Sequence, residues 1–221
     1  MAPPRYVPAL GVEWLTPLYD LLCWILRAGR VKRRLIEQAR IEPNHTVLDL
    51  GCATATLTLM IAEAQPDARV TGLDPDRGAL AIAARKARRA DVALHLTRAF
   101  SFGLPFPDET VDRVVSSLVF HHLTHVDKER TLDEIHRVLS PGGELHVLDF
   151  GERGGHWHDR IADWIHPSHG GEDRLADNRA GNLPEMFRKA GFEDAAEVSR
   201  HSMILGSVSL YRGRKPETHV S

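Results

Sequence analysis

The chain has 221 residues, 43% of them hydrophobic and 26% charged, which fits one folded α/β domain and excludes a disordered or fibrous protein. Its 28 basic residues against 30 acidic ones leave a formal net charge of −2, so the charge gives no reason to expect nucleic acid as a partner. Two cysteines, Cys23 and Cys52, are too few for a disulfide framework and point to a reducing cytoplasm. No apolar run approaches the roughly 18 residues that span a bilayer, and the basic-then-apolar order of a signal peptide is absent.

Residues 1–9 hold three prolines and read as a loose arm. Leu10 to Leu26 is apolar and aromatic, with Trp14, Tyr19 and Trp24, and a basic cluster follows in Arg27, Arg30, Lys32, Arg33 and Arg34. Two readings stand. One is a helical lid over a ligand cleft; the other is an interfacial anchor with its cations facing anionic lipid, interrupted by Pro17. Val31 to Ala39 reads as a second lid helix, and Pro43-Asn44 breaks the chain before the first strand.

Thr46-Val47-Leu48-Asp49-Leu50 is an apolar run carrying an acid, followed by the small residues Gly51-Cys52-Ala53-Thr54-Ala55 and a helix over Thr56 to Ala64. In this strand, tight turn and helix, small residues let a ligand approach the backbone, and the N–H groups at the helix start point outward as an anion site. Any βα unit needs the same small turn for packing alone. A second strand, Arg69 to Leu73, leads into Asp74 and Pro75. A carboxylate there can accept from both ribose hydroxyls of a nucleoside lying across the first turn.

Further on come a helix over Asp76 to Arg89 and strands over Val92 to Leu96 and Val111 to Ser117. Ser117-Leu118-Val119-Phe120-His121-His122 then lies at the carboxyl edge of the sheet, where ligands bind in open α/β folds. A helix over Asp127 to Leu139, the turn Pro141-Gly142-Gly143 and a strand over Glu144 to Phe150 follow. Residues 151–182 lose periodicity and read as a flap rich in Gly, His and Asp, with one helix around Trp157 to Ile165. Leu183 to Ala190 is a short helix capped by Gly191, and Ala195 to Met203 with Ser207 to Arg212 make a closing hairpin.

Four segments, taken in order, resemble the class I S-adenosylmethionine-dependent methyltransferases. They are Val47 to Thr56; Gly72 to Asp74; Leu104-Pro105-Phe106-Pro107-Asp108 with Val111 to Val114; and Arg137 to Gly143. The nearest resemblance is to the branch that contains the ubiquinone/menaquinone C-methyltransferases. It implies a Rossmann-like, doubly wound, seven-stranded sheet, mostly parallel with an antiparallel last strand, under an N-terminal helical lid. A single domain follows: lid 1–43, cofactor-binding core 44–150, flap 151–182, C-terminal helix and hairpin 183–221. S-adenosylmethionine is the implied donor and S-adenosylhomocysteine the product, with a small-molecule or lipid-like acceptor. Peripheral membrane contact through the N-terminal segment is part of the same expectation; oligomeric state is left open.

The resemblance also distributes roles. Asp49, Gly51 and the Cys52, Ala53 and Ala55 backbone hold the methionine end, and Tyr19 of the Tyr19-Asp20 pair lies near it. Asp74 holds the ribose with Pro75 following, and Phe100 and Ser101 flank the adenine. Ser117, Leu118, His121 and His122 line the reacting end. Members often carry an acid near Ala99 to Ser101 to accept from the adenine amino group; here none stands there, and Phe100 packs on the ring face or anchors the loop. The family's glycine turn also has Ala53 and Ala55 at its second and third glycine positions. A positive φ would cost an alanine roughly 1–2 kcal/mol, and each methyl would crowd the ligand; a helical or extended φ would cost little.

Methyl transfer from a sulfonium needs alignment and water exclusion more than a triad or metal. A base is required only for an acceptor that is a hydroxyl or carbon acid, and His121 and His122 are the candidates, each with a structural role as the alternative. His156, His158, His166 and His169 match no structural zinc spacing and read as a solvated or acceptor-facing flap. The second functional class is a non-catalytic or cofactor-impaired binder of the same fold, suggested by the missing acid and the two alanines.

Overall fold

The computed structural model describes residues 28–152, 174–203 and 206–217. Tyr19, the aromatic run before Arg27, and His156, His158, His166 and His169 lie outside the described residues. The elements, in order, are α1 (Ala28–Ala39), β1 (Thr46–Leu50), α2 (Thr56–Ala64), β2 (Arg69–Leu73), α3 (Arg77–Ala90), β3 (His95–Thr97) and β4 (Val111–Ser117). A single 3-10 turn, Phe120–His122, then precedes α4 (His125–Val138), β5 (Leu139–Phe150), α5 (Ala176–Arg179), α6 (Leu183–Lys189), β6 (Glu193–Met203) and β7 (Gly206–Arg214).

The strands form one sheet in the order β3-β2-β1-β4-β5-β7-β6. All neighbours are parallel except β7, which runs antiparallel to both β5 and β6. The chain winds outward from β1 to β3, then returns to place β4 on the other side of β1. That reversal opens a crevice past the carboxyl ends of β1 and β4.

Helices cover both faces, so the central strands are apolar on both sides. Leu48, Leu50, Leu73 and Val114 pack with Leu132 and Ile135 of α4 and Phe187 of α6. Val47, Val70, Val115 and Leu148 pack with Val31, Leu35 and Ala39 of α1 and Leu57 and Ile61 of α2. Side chains alternate faces along a strand, so Asp49 and Ser117 share the α1/α2 face with Val47 and Val115. This parity decides which helices can reach them.

Arg137 binds the third and fourth family-like segments to each other. Its guanidinium donates to the Leu104 and Phe106 carbonyls, to Asp108 and to Glu134, while Leu104 N–H donates to Glu134. The loop carrying Phe100 and Ser101 is thereby hung from α4.

Several boundaries differ from the sequence reading: α1 starts at Ala28 rather than Val31, α4 at His125 rather than Asp127, β6 at Glu193 rather than Ala195, and β7 ends at Arg214 rather than Arg212. β3 starts at His95 rather than Val92. Pro141-Gly142-Gly143 lies inside β5, where Val111 pairs with Leu139 and the register shifts before Arg113 pairs with Glu144. Gly142 at φ +75 absorbs that shift as an irregularity within the strand.

Candidate active site

Gly51 has φ +74, and a Cβ there would lie 2.3 Å from Val119 Cγ2. Gly72 has no room either, since its Cβ would meet Cys52 Sγ at 2.9 Å. The two glycines therefore bring the β1 turn, β2 and the β4 edge close together.

The turn's N–H groups are largely turned inward. Gly51 and Cys52 both donate to Leu73 O, at 2.8 and 3.0 Å, and Ala55 donates to Cys52 O at 2.8 Å. Ala53 donates to Asp74 Oδ2 at 2.9 Å. β2, Asp74 and the turn itself thus take the donors at these four positions, all of which precede Thr56, the first residue of α2.

Ala53 has φ +47 and Ala55 φ +60, so both alanines occupy the left-handed region. The strained outcome is the one realised. Crowding, by contrast, applies to one of them. Ala53 lines the crevice, whereas Ala55 is 0% exposed, its methyl packed inside the protein. Leu118, at the edge of β4, is left-handed as well, with φ +61.

Ala55 cannot cap α2 with its side chain. Asp49 does so from β1: its carboxylate accepts the Thr58 hydroxyl at 2.6 Å and the Thr58 backbone N–H in the first turn of α2. Burial pushes the Asp49 carboxyl up to about 6, against the lowering effects of Thr58 and the nearby Lys32 charge. Asp74 is raised to about 6 by burial too, with the Asp76 and Ala53 N–H groups opposing. Its two oxygens accept one backbone N–H each, Asp76 on Oδ1 and Ala53 on Oδ2. Each keeps acceptor capacity for a further donor.

Lys32, Asp49, Gly51, Ala53, Thr56 and Ser117 are among the residues lining the crevice. Lys32 overturns its sequence reading. It is 4% exposed and has no hydrogen-bond or ion-pair partner among the described residues, whereas Arg30, Arg33 and Arg34 of the same helix stay in solvent. A signal for this existed: Lys32, Leu35, Ile36 and Ala39 fall at i, i+3, i+4 and i+7, on the apolar stripe of α1. The Ser117 hydroxyl is buried with no partner.

At the far end, His121 is 6% exposed and its Nδ1 lies 2.8 Å from Asp149 Oδ1. Asp149 is fully buried and also accepts from the N–H groups of Val119, Phe120 and Phe150 and from the Asn178 amide. His122 is half-buried, its ring centroid 4.0 Å from that of His121. Sequence reasoning missed Asp149, although it ends β5 as Asp49 and Asp74 mark the ends of β1 and β2. Phe100 stacks on Phe102 at 5.2 Å, and the Ser101 hydroxyl pairs with Thr131 at 2.8 Å. Pro75 lies half-buried after Asp74, its carbonyl accepting from Arg98. Among the described residues, no group of three His, Cys, Asp or Glu could hold a metal ion. No helix among them is long and apolar enough to cross a membrane.

The family model described as "Methyltransferase domain" matches residues 47–143. Demethylmenaquinone methyltransferase of Symbiobacterium thermophilum is 30% identical over 227 aligned positions, covering 89% of this chain and 88% of that protein. The Thermus thermophilus protein of the same name is 39% identical over 139, with this chain spanning only 62% of its length. Among solved structures, the complex between the Haloferax volcanii Trm112 methyltransferase activator and its methyltransferase matches with a TM-score of 0.72. That match covers 98% of this chain and 100% of that one at 22% identity, a likeness of fold. With the sheet order and the crevice at its switch point, these findings place the chain in the class I S-adenosylmethionine-dependent methyltransferases, in the quinone-type branch. The residues present suit that family's cofactor: the Asp49 carboxylate, the Lys32 cation and the unpartnered Ser117 hydroxyl line one crevice, and Asp74 holds Ala53 of its wall.

Proposed function

We propose that this protein methylates a hydroxylated ring of the quinol type, the class to which demethylmenaquinone, named in its relatives, belongs once reduced. The observation that carries the reading is the His121–Asp149 pair at the carboxyl edge of β4 and β5. When bound, the cofactor supplies a methyl group already activated by its positively charged sulfur. Asp74 holds the ribose, the β1 turn and Asp49 the methionine end, and Phe100 lies against the adenine.

His121 does the proton work. With Nδ1–H donating to Asp149, the neutral ring carries its lone pair on Nε2. Nε2 takes the proton of the acceptor hydroxyl, and the oxyanion raises electron density at the ring carbon, which takes the methyl as S-adenosylhomocysteine leaves; that carbon then loses its own proton to water and the oxygen recovers one from His121, restoring the aromatic diol. Asp149 fixes the tautomer and balances the imidazolium. The four other donors to Asp149 hold its carboxylate in place. His122 packs against His121 with its ring tilted by 41° and shapes the acceptor side.

The test uses a short-chain demethylated naphthoquinol and donor carrying a labelled methyl. His121→Gln should lower kcat by about 10²–10³-fold, as loss of a positioned base does, with S-adenosylhomocysteine affinity within twofold. Full turnover by that variant would remove His121 from the mechanism. A second reading, a cofactor binder without turnover, is favoured by the left-handed Ala53 on the crevice wall. Tight binding with no label transferred to the reduced acceptor would select it.

A further inference from the structure

Lys32 is a lysine in a place where a lysine is unfavourable. It projects from the packed stripe of α1, with neighbours Leu35 and Ala39 at 0% exposure. Among the described residues nothing pairs with its ammonium. Packing alone would be served as well by methionine or leucine at this position. With its stem packed and its head at the crevice wall, unpartnered among the described residues, Lys32 is placed to meet an anion that enters there.

The crevice defines what that anion is. Lys32 shares its wall with Asp49, a carboxylate that is 1% exposed and sensitive to the lysine's charge. One fixed cation and one fixed anion, unpaired with each other, match a zwitterion. The Ser117 hydroxyl, 8% exposed and without a partner, adds a neutral donor in the same crevice.

Four backbone donors of the turn are engaged. The N–H groups of Gly51, Cys52, Ala53 and Ala55 are bonded within the turn or to β2 and Asp74. Lys86 approaches the turn from α3, but it donates to Thr56 Oγ1 at 2.8 Å and does not line the crevice.

We propose that Lys32, assisted by the Ser117 hydroxyl, binds the α-carboxylate of the cofactor's amino-acid end. This rests on the assignment of the crevice to S-adenosylmethionine. Lys32 is then a specificity residue: it selects ligands that carry the whole amino acid over nucleosides lacking the carboxylate. Donor and product share that carboxylate, so Lys32 strengthens binding of both alike and leaves the chemical step unchanged.

Titration calorimetry with S-adenosylhomocysteine and with its decarboxylated analogue tests this on the full chain. The analogue keeps the adenosine, the thioether and the ammonium. Wild type should bind S-adenosylhomocysteine about 10–100-fold more tightly than the analogue, the range of a charge-assisted hydrogen bond. Lys32→Met should remove that preference, weakening S-adenosylhomocysteine by the same factor and leaving the analogue within twofold. Donor KM should rise in parallel, with kcat unchanged. Lys32→Arg should retain part of the preference. Ser117→Ala, which leaves the α1 packing untouched, should lower it about threefold to tenfold. Equal weakening of both ligands by Lys32→Met would show a structural role and overturn the proposal, as would no weakening of either. A wild-type protein that binds neither ligand would overturn the cofactor assignment itself, whatever the variants do.

Discussion

The two alanines of the β1 turn make different predictions from the same backbone geometry. Both are left-handed, at φ +47 and +60. A non-glycine residue there carries about 1–2 kcal/mol of strain. Glycine relieves it, but enlarges the unfolded ensemble by about 0.4–1 kcal/mol. For Ala53→Gly the methyl removed lies on the crevice wall, so little packing is lost and the net gain is about 0.5–1 kcal/mol. For Ala55→Gly the methyl is 0% exposed, and its loss subtracts about 0.8 kcal/mol more, leaving a net change near zero. In a chain of this size the first variant should melt about 1–4 °C higher and the second within about a degree of wild type. Ala53→Gly should also tighten S-adenosylhomocysteine by up to about tenfold, and Ala55→Gly should leave it unchanged. Differential scanning calorimetry with and without ligand measures both. If Ala55→Gly were the more stabilising substitution, or if both lowered stability by more than about 1 kcal/mol, the account of strain and methyl placement would be refuted.

Asp74 supplies a pH signature. Its folded value of about 6 lies above its ordinary 3.8, so the folded chain holds an extra proton between about pH 4 and 6. Its contribution to stability therefore falls as pH rises through that window and is flat above it. Ribose binding needs the ionised form, so S-adenosylhomocysteine affinity should decline as pH drops below about 6; in Asp74→Asn the affinity should be low throughout and that limb shallower. An unaltered limb would separate Asp74 from the ligand. Gly51→Ala should lower stability by about 2–5 kcal/mol, combining left-handed strain with the Cβ contact on Val119. Adding Val119→Ala should recover the contact and leave the strain, a coupling that urea unfolding of the four proteins resolves; zero coupling would contradict the close approach.

Much of this protein is written locally. The bounds of β1, α2, β2 and β4 follow from runs of branched residues ended by acids or small residues, and the sheet's parity places Asp49 and Ser117 on one face before any contact is known. The acid after β2, the small-residue turn and the histidines at the edge of β4 were legible for the same reason: each depends on neighbours a few positions away.

What tertiary structure decided is whatever depends on a partner far along the chain. The left-handed φ at Ala53 goes with Leu73 and Asp74 capturing the N–H groups of Gly51, Cys52 and Ala53 across more than twenty residues. Asp149 becomes the partner of His121 only because β5 lies beside β4. Lys32, one of five closely spaced cations in the sequence, leaves solvent because α1 docks its apolar stripe over β4 and β5 and carries that side chain inward with it. Local pattern specifies elements and faces; which polar group is left facing a ligand without a partner depends on where every competing donor and acceptor has already been bonded.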